Sequence, residues 1–312
     1  MSKKVRKSLE KPAAEVIGKL LDDLSAKVGK RLDALRNSDD PEALHDARVE
    51  VKRLRVWLRH GKSEVKTSAS ARQALRQFTK TSNPMRDREV MLQWLAGLKP
   101  EGNRIKGVAD VRAVAEQEME ALEARVLRIT RNLQSESVAL KAHRRKSASG
   151  RSFGYWLAER LSAHQLTLVQ DLENLPEGLH EARLTGKHLR YLIEPLKGDE
   201  ASDRALELLK ALQELLGQAH DMMAMRASFP EVFAHTLADT GFDAIRHQIE
   251  SGQSLTWRTP ACWPGMRFIV DQLNSDQSRL EQEAEQWRDE HLAELIEVLG
   301  ALRARLVRDH VL

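Results

Sequence analysis

One fifteen-residue segment of this chain is used twice. Pro41-Glu42-Ala43-Leu44-His45-Asp46-Ala47-Arg48-Val49-Glu50-Val51-Lys52-Arg53-Leu54-Arg55 returns as Pro176-Glu177-Gly178-Leu179-His180-Glu181-Ala182-Arg183-Leu184-Thr185-Gly186-Lys187-His188-Leu189-Arg190. Nine positions are identical: Pro, Glu, Leu, His, Ala, Arg, Lys, Leu and Arg. Two unrelated segments of this length would share about one, so the chain carries an internal duplication. Any fold must therefore use one local structure twice.

That local structure reads as a helix. At about 100° per residue, His45, Arg48, Lys52, Arg55 and Arg59 fall within an arc of roughly 80°. Leu44, Ala47, Val51, Leu54 and Leu58 form an apolar stripe beside it. The second copy repeats the row with His180, Arg183, Lys187 and Arg190, next to Leu179, Ala182, Leu189 and Ile193. Pro41 and Pro176 suit a first helical turn, and Asp40 suits the cap of the first copy. Like charges three, four and seven residues apart repel, by a few tenths of a kcal/mol per pair. An external polyanion lying along the row would relieve this. A charged face that only snorkels beside a core is common, but here the duplication repeats the cationic positions together with the core positions.

The double His-x-x-Arg-x-x-x-Lys-x-x-Arg pattern resembles the conserved histidine α-helical domain, or CHAD, family. Asn83-Pro84-Met85-Arg86-Asp87-Arg88-Glu89-Val90 is similar to the Arg-Asp segment that follows the first motif in that family. Leu212-Gln213-Glu214-Leu215-Leu216-Gly217-Gln218-Ala219-His220-Asp221 is similar to its counterpart in the second half. The resemblance implies an all-helical fold of two related bundles and binding of inorganic polyphosphate in a basic central cavity.

Composition is compatible with this and does not by itself announce it. The 312 residues suffice for two domains or one large duplicated one. Charged residues make up 31% and aromatic residues 4%, which favours helices. Fifty basic against 46 acidic residues leave a formal net charge of only +4, so the location of the cations matters more than their sum. Cys262 is the only cysteine, which excludes an internal disulfide and suits a reducing compartment. The basic start, Met1-Ser2-Lys3-Lys4-Val5-Arg6-Lys7, has no following apolar run of signal-peptide length. No stretch approaches the roughly 20 apolar residues of a membrane span. A cytoplasmic protein is expected, with polyphosphate granules as a candidate location.

Apolar periodicity predicts helices over 9–35, 41–60, 65–81 and 84–98, then a long one over 108–142. Gly61 is expected as a left-handed cap, and Asn83-Pro84 as a break. The basic, then small and polar, residues 143–151 read as a linker. Further helices are predicted over 152–173, 176–194, 201–216, closed by Gly217, and 237–251. A loop over 252–266 is expected to be pinned by Trp257 and Trp263. The last helix, about 267–309, carries a long apolar seam expected to pack on the body, with a weak point at Asn274-Ser275. The alternative use of that seam is to join a second copy or a granule protein. The expected architecture is all-α: two tandem four-helix-bundle repeats, about 9–142 and 152–252, related by a pseudo-two-fold axis, plus the loop and C-terminal helix over 253–312. Such an axis would pool the two cationic rows.

The site expected is a polyphosphate-binding one: His45, Arg48, Lys52, Arg55 and Arg59 with His180, Arg183, Lys187 and Arg190, and Arg76, Arg86 and Lys210 on the wall. Arginines fork onto phosphate oxygens, and lysines add compact charge. Successive helical turns, about 5.4 Å apart, suit a run of phosphates. No cofactor is expected. His45-Asp46 and His180-Glu181 point in different directions on a helix, so no metal site is expected there. A Gly-rich phosphate loop, His-Glu-x-x-His and Gly-x-Ser-x-Gly are all missing from the sequence. So is the Glu-x-Glu-x-Lys signature of the triphosphate-cleaving domain that often precedes CHAD domains. A non-catalytic binding protein is therefore expected. The alternatives are a nucleic-acid binder, disfavoured because the motif faces lack stacking aromatics, a metal-dependent phosphohydrolase, and a scaffold acting through the C-terminal helix.

Overall fold

The computed structural model describes residues 3–37, 42–132, 140, 142–252, 254 and 259–308. They are almost entirely helical: α1 (Lys3–Glu10), α2 (Ala13–Asn37), α3 (Glu42–His60), α4 (Ala69–Gly97), α5 (Arg104–Asn132), α6 (Phe153–Glu173), α7 (Leu179–Ile193), α8 (Glu200–Glu250) and α9 (Trp263–Arg308). Two short strands, β1 (Val65–Lys66) and β2 (His143–Arg144), pair antiparallel, Val65 opposite Arg144 and Lys66 opposite His143. The expected linker thus carries a strand. The cap proposed for Asp40 and the helical turn at Pro41 lie outside the described residues, as do 133–139 and 141 of the long helix predicted over 108–142, of which residues 140 and 142 are not helical.

The chain gathers into two compact units. One comprises Met1–Thr81, Leu127–Gly217 and Glu281–Leu312; the other comprises Ser82–Val126 and Gln218–Leu280. In the first, α2 packs on α3, α6 packs on α7, and α3 packs on α7. The apolar stripes read from the sequence are its core: Leu44, Ala47, Val51 and Leu54 of α3, and Leu179, Ala182, Leu189 and Ile193 of α7, are all buried. Each large apolar side chain so buried contributes roughly 1.5–3 kcal/mol. Trp57 of α3 stacks on Trp156 of α6 with ring centroids 6.2 Å apart. Leu295, Leu299, Leu302 and Leu306 of α9 are buried too. Arg204 and Arg305 pair with Glu294 and Asp199 beside them. In the second unit, Met91, Val111, Met225, Phe229 and Ile269 form the core. There Trp94 Nε1 donates to Asp276 Oδ2 at 2.9 Å.

Several predicted helix ends fall elsewhere. The first predicted helix is two, interrupted at Lys11-Pro12, where Phe153 N donates to Lys11 O at 2.8 Å and Ala13 N to Arg151 O at 2.9 Å. Asn83-Pro84 does not end α4, and Gly217 does not end α8, which also runs on through Pro230. α9 runs unbroken through Asn274-Ser275. A proline inside a helix costs about 3 kcal/mol. Burial of Met85 and Met91 after Pro84, and of Phe229 and Val232 around Pro230, offsets that. α7 begins at Leu179, so Pro176 precedes it rather than opening it. Trp263 is 53% exposed and opens α9 rather than lying in the loop predicted over 252–266. Trp257 lies outside the described residues.

Gly61 is no left-handed cap: the helix continues into a 3-10 turn over Gly61–Ser63, and Gly61 does not have positive φ. A Cβ there would lie 2.6 Å from Ile17 Cγ2, so the residue is small because α2 passes against it. Gly178 obeys the same logic at the start of α7. Its φ of −75° suits any residue, but a Cβ would lie 2.0 Å from the backbone oxygen of Asp171. Gly178→Ala is expected to lower stability by about 1–3 kcal/mol through overpacking, read as a lower midpoint in urea. Ala43, its counterpart in the first copy, should accept Gly at a smaller cost.

Candidate functional site

On α7 the second cationic row projects from a helix whose other face is core. Arg183, Lys187 and Arg190 are half-buried and His180 is exposed. Arg183, Lys187 and Arg190 line one open hollow of about 220 Å³ with Lys210, Gln213 and Glu214 of α8. Four cations there face one carboxylate. That carboxylate pairs loosely with Lys210, at 3.7 Å, and both side chains are well exposed, so the pair holds little energy against an incoming anion. The volume lies below the roughly 300–1,000 Å³ of pockets that enclose small organic ligands. All six lining residues are charged or polar in type.

The α7–α8 spacing has a local cause. Gly186 leaves room for Gln213, whose Nε2 would lie 2.9 Å from a Cβ at that position. Gln213 Nε2 donates to Arg183 O at 2.9 Å. Arg190 lies over the Tyr191 ring, 5.0 Å from its centroid. Its Nε is buried with no hydrogen-bond partner among the described residues.

The first row, on α3, is less uniform. Arg48 is buried and Lys52 half-buried, while His45, Arg55 and Arg59 are exposed. Arg55 lies close enough to exposed Arg76 of α4 that, after partial burial, the second guanidinium lowers its pKa. Two like charges this close disfavour each other's charged form. Arg53, off the row, has the opposite environment. Burial works against its charge, but Glu194 and Glu50 outweigh it and raise its pKa. Its Nε donates to Glu194 Oε2 at 2.8 Å and its Nη1 to Glu50 Oε1 at 2.8 Å. Arg53 therefore ties α3 to the residue after α7 and is spent on the fold.

The candidates distribute as follows. Arg183, Lys187, Arg190 and Lys210 meet in the hollow; Arg55 and Arg76 form a second cationic pair. Arg59 acts on His188 of α7, so the first row reaches the second helix at that point. All of these, with His45, Arg48, Lys52 and His180, belong to the first compact unit. Arg86 belongs to the other unit and pairs with Glu89 at 3.1 Å. Gln213 and Glu214 were not expected in the lining, although both lie in the segment that resembles the family's second-half pattern.

Sequence reasoning also missed a histidine cluster. His60 ends α3, His164 lies in α6 and His188 in α7. Their ring centroids are 4.8, 5.0 and 5.4 Å apart, with ring planes near perpendicular. One signal existed: His188 stands where the first copy has Arg53. Burial, then the neighbouring histidines and Arg160 and Arg59, pushes His60 down to about 3. Burial, then His164, Arg59 and Lys187, pushes His188 down to about 4. Burial, Arg59 and Arg160 lower His164 as well. All three are neutral at pH 7. In the unfolded chain each takes a proton near its ordinary value of about 6.5, while the folded state does not. Stability is therefore expected to be full above pH 6.5 and to fall as pH drops from there toward 4. Melting temperatures of metal-free protein between pH 7 and 5 should show this slope, and His188→Asn should flatten it.

A family model described as CHAD domain matches residues 9–229. Among solved structures, the crystal structure of the CHAD domain from the plant Ricinus communis is similar, at 17% identity, over 95% of this chain and 94% of that one, with a TM-score of 0.57. At that identity the likeness speaks for the helical architecture alone. No curated protein matches the chain. The family match takes in both His-x-x-Arg-x-x-x-Lys-x-x-Arg copies and the histidine cluster and spans more than half of the residues, so the chain belongs to the CHAD domain family.

Proposed function

We propose that this protein binds inorganic polyphosphate on the basic surfaces of α3 and α7 and does not cleave it. The observation that carries this reading is the hollow in which Arg183, Lys187, Arg190 and Lys210 meet with a single carboxylate. Family membership points the same way. A flexible polyanion with one charge per phosphate needs closely spaced cations and no groups that read bases. Arg190 lines the hollow, where its guanidinium can fork onto phosphate oxygens. On this reading Arg55 with Arg76, and Arg59, extend the track, while His45 and His180 mark its outer ends. Arg48 and Lys52 supply field from beneath.

Polyphosphate has no ring to stack, and the lining has none to offer. Single-stranded nucleic acid would want such a platform. No helix among the described residues is long and apolar enough to cross a membrane. The location follows the ligand, in the cytoplasm and at polyphosphate granules.

Long-chain polyphosphate should raise the melting temperature by mass action, and its affinity should fall steeply with salt as counterions are released. Arg183→Glu and Arg190→Glu should each weaken binding about tenfold or more, or about 1.4 kcal/mol, with the far-UV spectrum unchanged. Polyphosphate should displace labelled single-stranded RNA at a lower phosphate concentration than RNA displaces polyphosphate; the reverse order would favour the nucleic-acid reading. Chain length after incubation with Mg²⁺ should be unchanged. Equal binding by wild type and the Arg183→Glu/Arg190→Glu protein would sink the assignment.

A further inference from the structure

We infer that His60, His164 and His188 form a binding site for one divalent late transition metal ion of the zinc class. The nitrogen atoms that these residues offer all lie within 4.8 Å of one another. A point equidistant from three atoms 4.8 Å apart is about 2.8 Å from each, and Zn–N bonds are about 2.0–2.1 Å. Each ring then has to move inward by less than about 1 Å, a small change of side-chain torsion. Three helices present the donors, so the site is built by tertiary packing and not by a mobile loop.

A second observation is independent of that spacing. His60 is 8% exposed, and its Nε2 is buried with no hydrogen-bond partner among the described residues. Leaving such an atom unsatisfied costs about 1–3 kcal/mol. Packing alone does not explain why three polar rings converge at edge-to-face contact where apolar rings would serve without that cost. A metal ion uses the lone pairs that the cluster leaves idle, and the neutral imidazoles described above have them available.

The donor set selects the ion. Three imidazoles suit zinc, copper, nickel or cobalt and do not suit magnesium or calcium, which want oxygen. Three protein donors leave a fourth position for water or an anion. Arg59, Arg160 and Lys187 surround the cluster with positive charge. They disfavour a dication and favour an anionic fourth ligand, so affinity is lower than in a site flanked by carboxylates. The site is separate from the motif histidines His45 and His180, and nothing in it depends on polyphosphate.

The test is metal titration of the chelator-treated full-length protein in phosphate-free buffer, with Zn²⁺ followed by calorimetry and Co²⁺ by visible absorption. The expected result is one ion per chain and the intense visible bands of tetrahedral Co²⁺. His60→Gln, His164→Gln and His188→Gln should each weaken binding by more than about 100-fold, and His247→Gln should not. Binding without saturation, only faint octahedral Co²⁺ bands, or uptake that survives the triple substitution would overturn the proposal. If a substituted protein fails to fold, as judged by its far-UV spectrum, the wild-type Co²⁺ spectrum decides alone.

Discussion

The structure depends on forcing like charges together. α3 and α7 each turn one face into the core, and the same helices carry cations on the adjacent face. Repulsion along such a row costs tenths of a kcal/mol per pair, whereas each large core residue contributes roughly 1.5–3 kcal/mol. Burial therefore wins, and the cations stay close. Where the fold can neutralise a cation it does so: Arg53 is held by Glu50 and Glu194. Elsewhere cations stay close to one another, as at Arg55 beside Arg76 and in the α7–α8 hollow.

The two copies have diverged at the places where neighbouring helices approach. Ala43 and Val51 in the first copy correspond to Gly178 and Gly186 in the second. Gly178 lies against the Asp171 backbone, and Gly186 against Gln213. Without those side chains the Asp171 backbone of α6 and the Gln213 side chain of α8 can sit close against this segment. The change from Arg53 to His188 acts differently: it replaces a cation tied to Glu194 by a neutral ring that meets two other histidines.

Helices were legible wherever periodicity was strong. The stripes Leu44-Ala47-Val51-Leu54 and Leu179-Ala182-Leu189 are buried as the pattern requires. Pro84 and Gly217 misled, because local breaker chemistry is weighed in isolation while the helices around them are held by burial far beyond one turn. Gly61 and Pro176 misled for a related reason: the first is small to admit Ile17, and the second sits in the turn before α7. Of the candidate cations, those on α7 and Lys210 converge. Arg86 falls in the other compact unit. A helical wheel specifies direction around one axis and says nothing of which helix lies opposite.

The amino-acid sequence alone determined the duplication, the two-faced motif helices, the helical class and the family, because these are written in spacings of three, four and seven residues along one helix. Tertiary structure alone decided which cations share a hollow, that Arg53 is spent on Glu194, and that His60, His164 and His188 meet. Those contacts join residues tens to more than a hundred positions apart, and their geometry is set by how closely helices pack, a quantity that no local pattern carries.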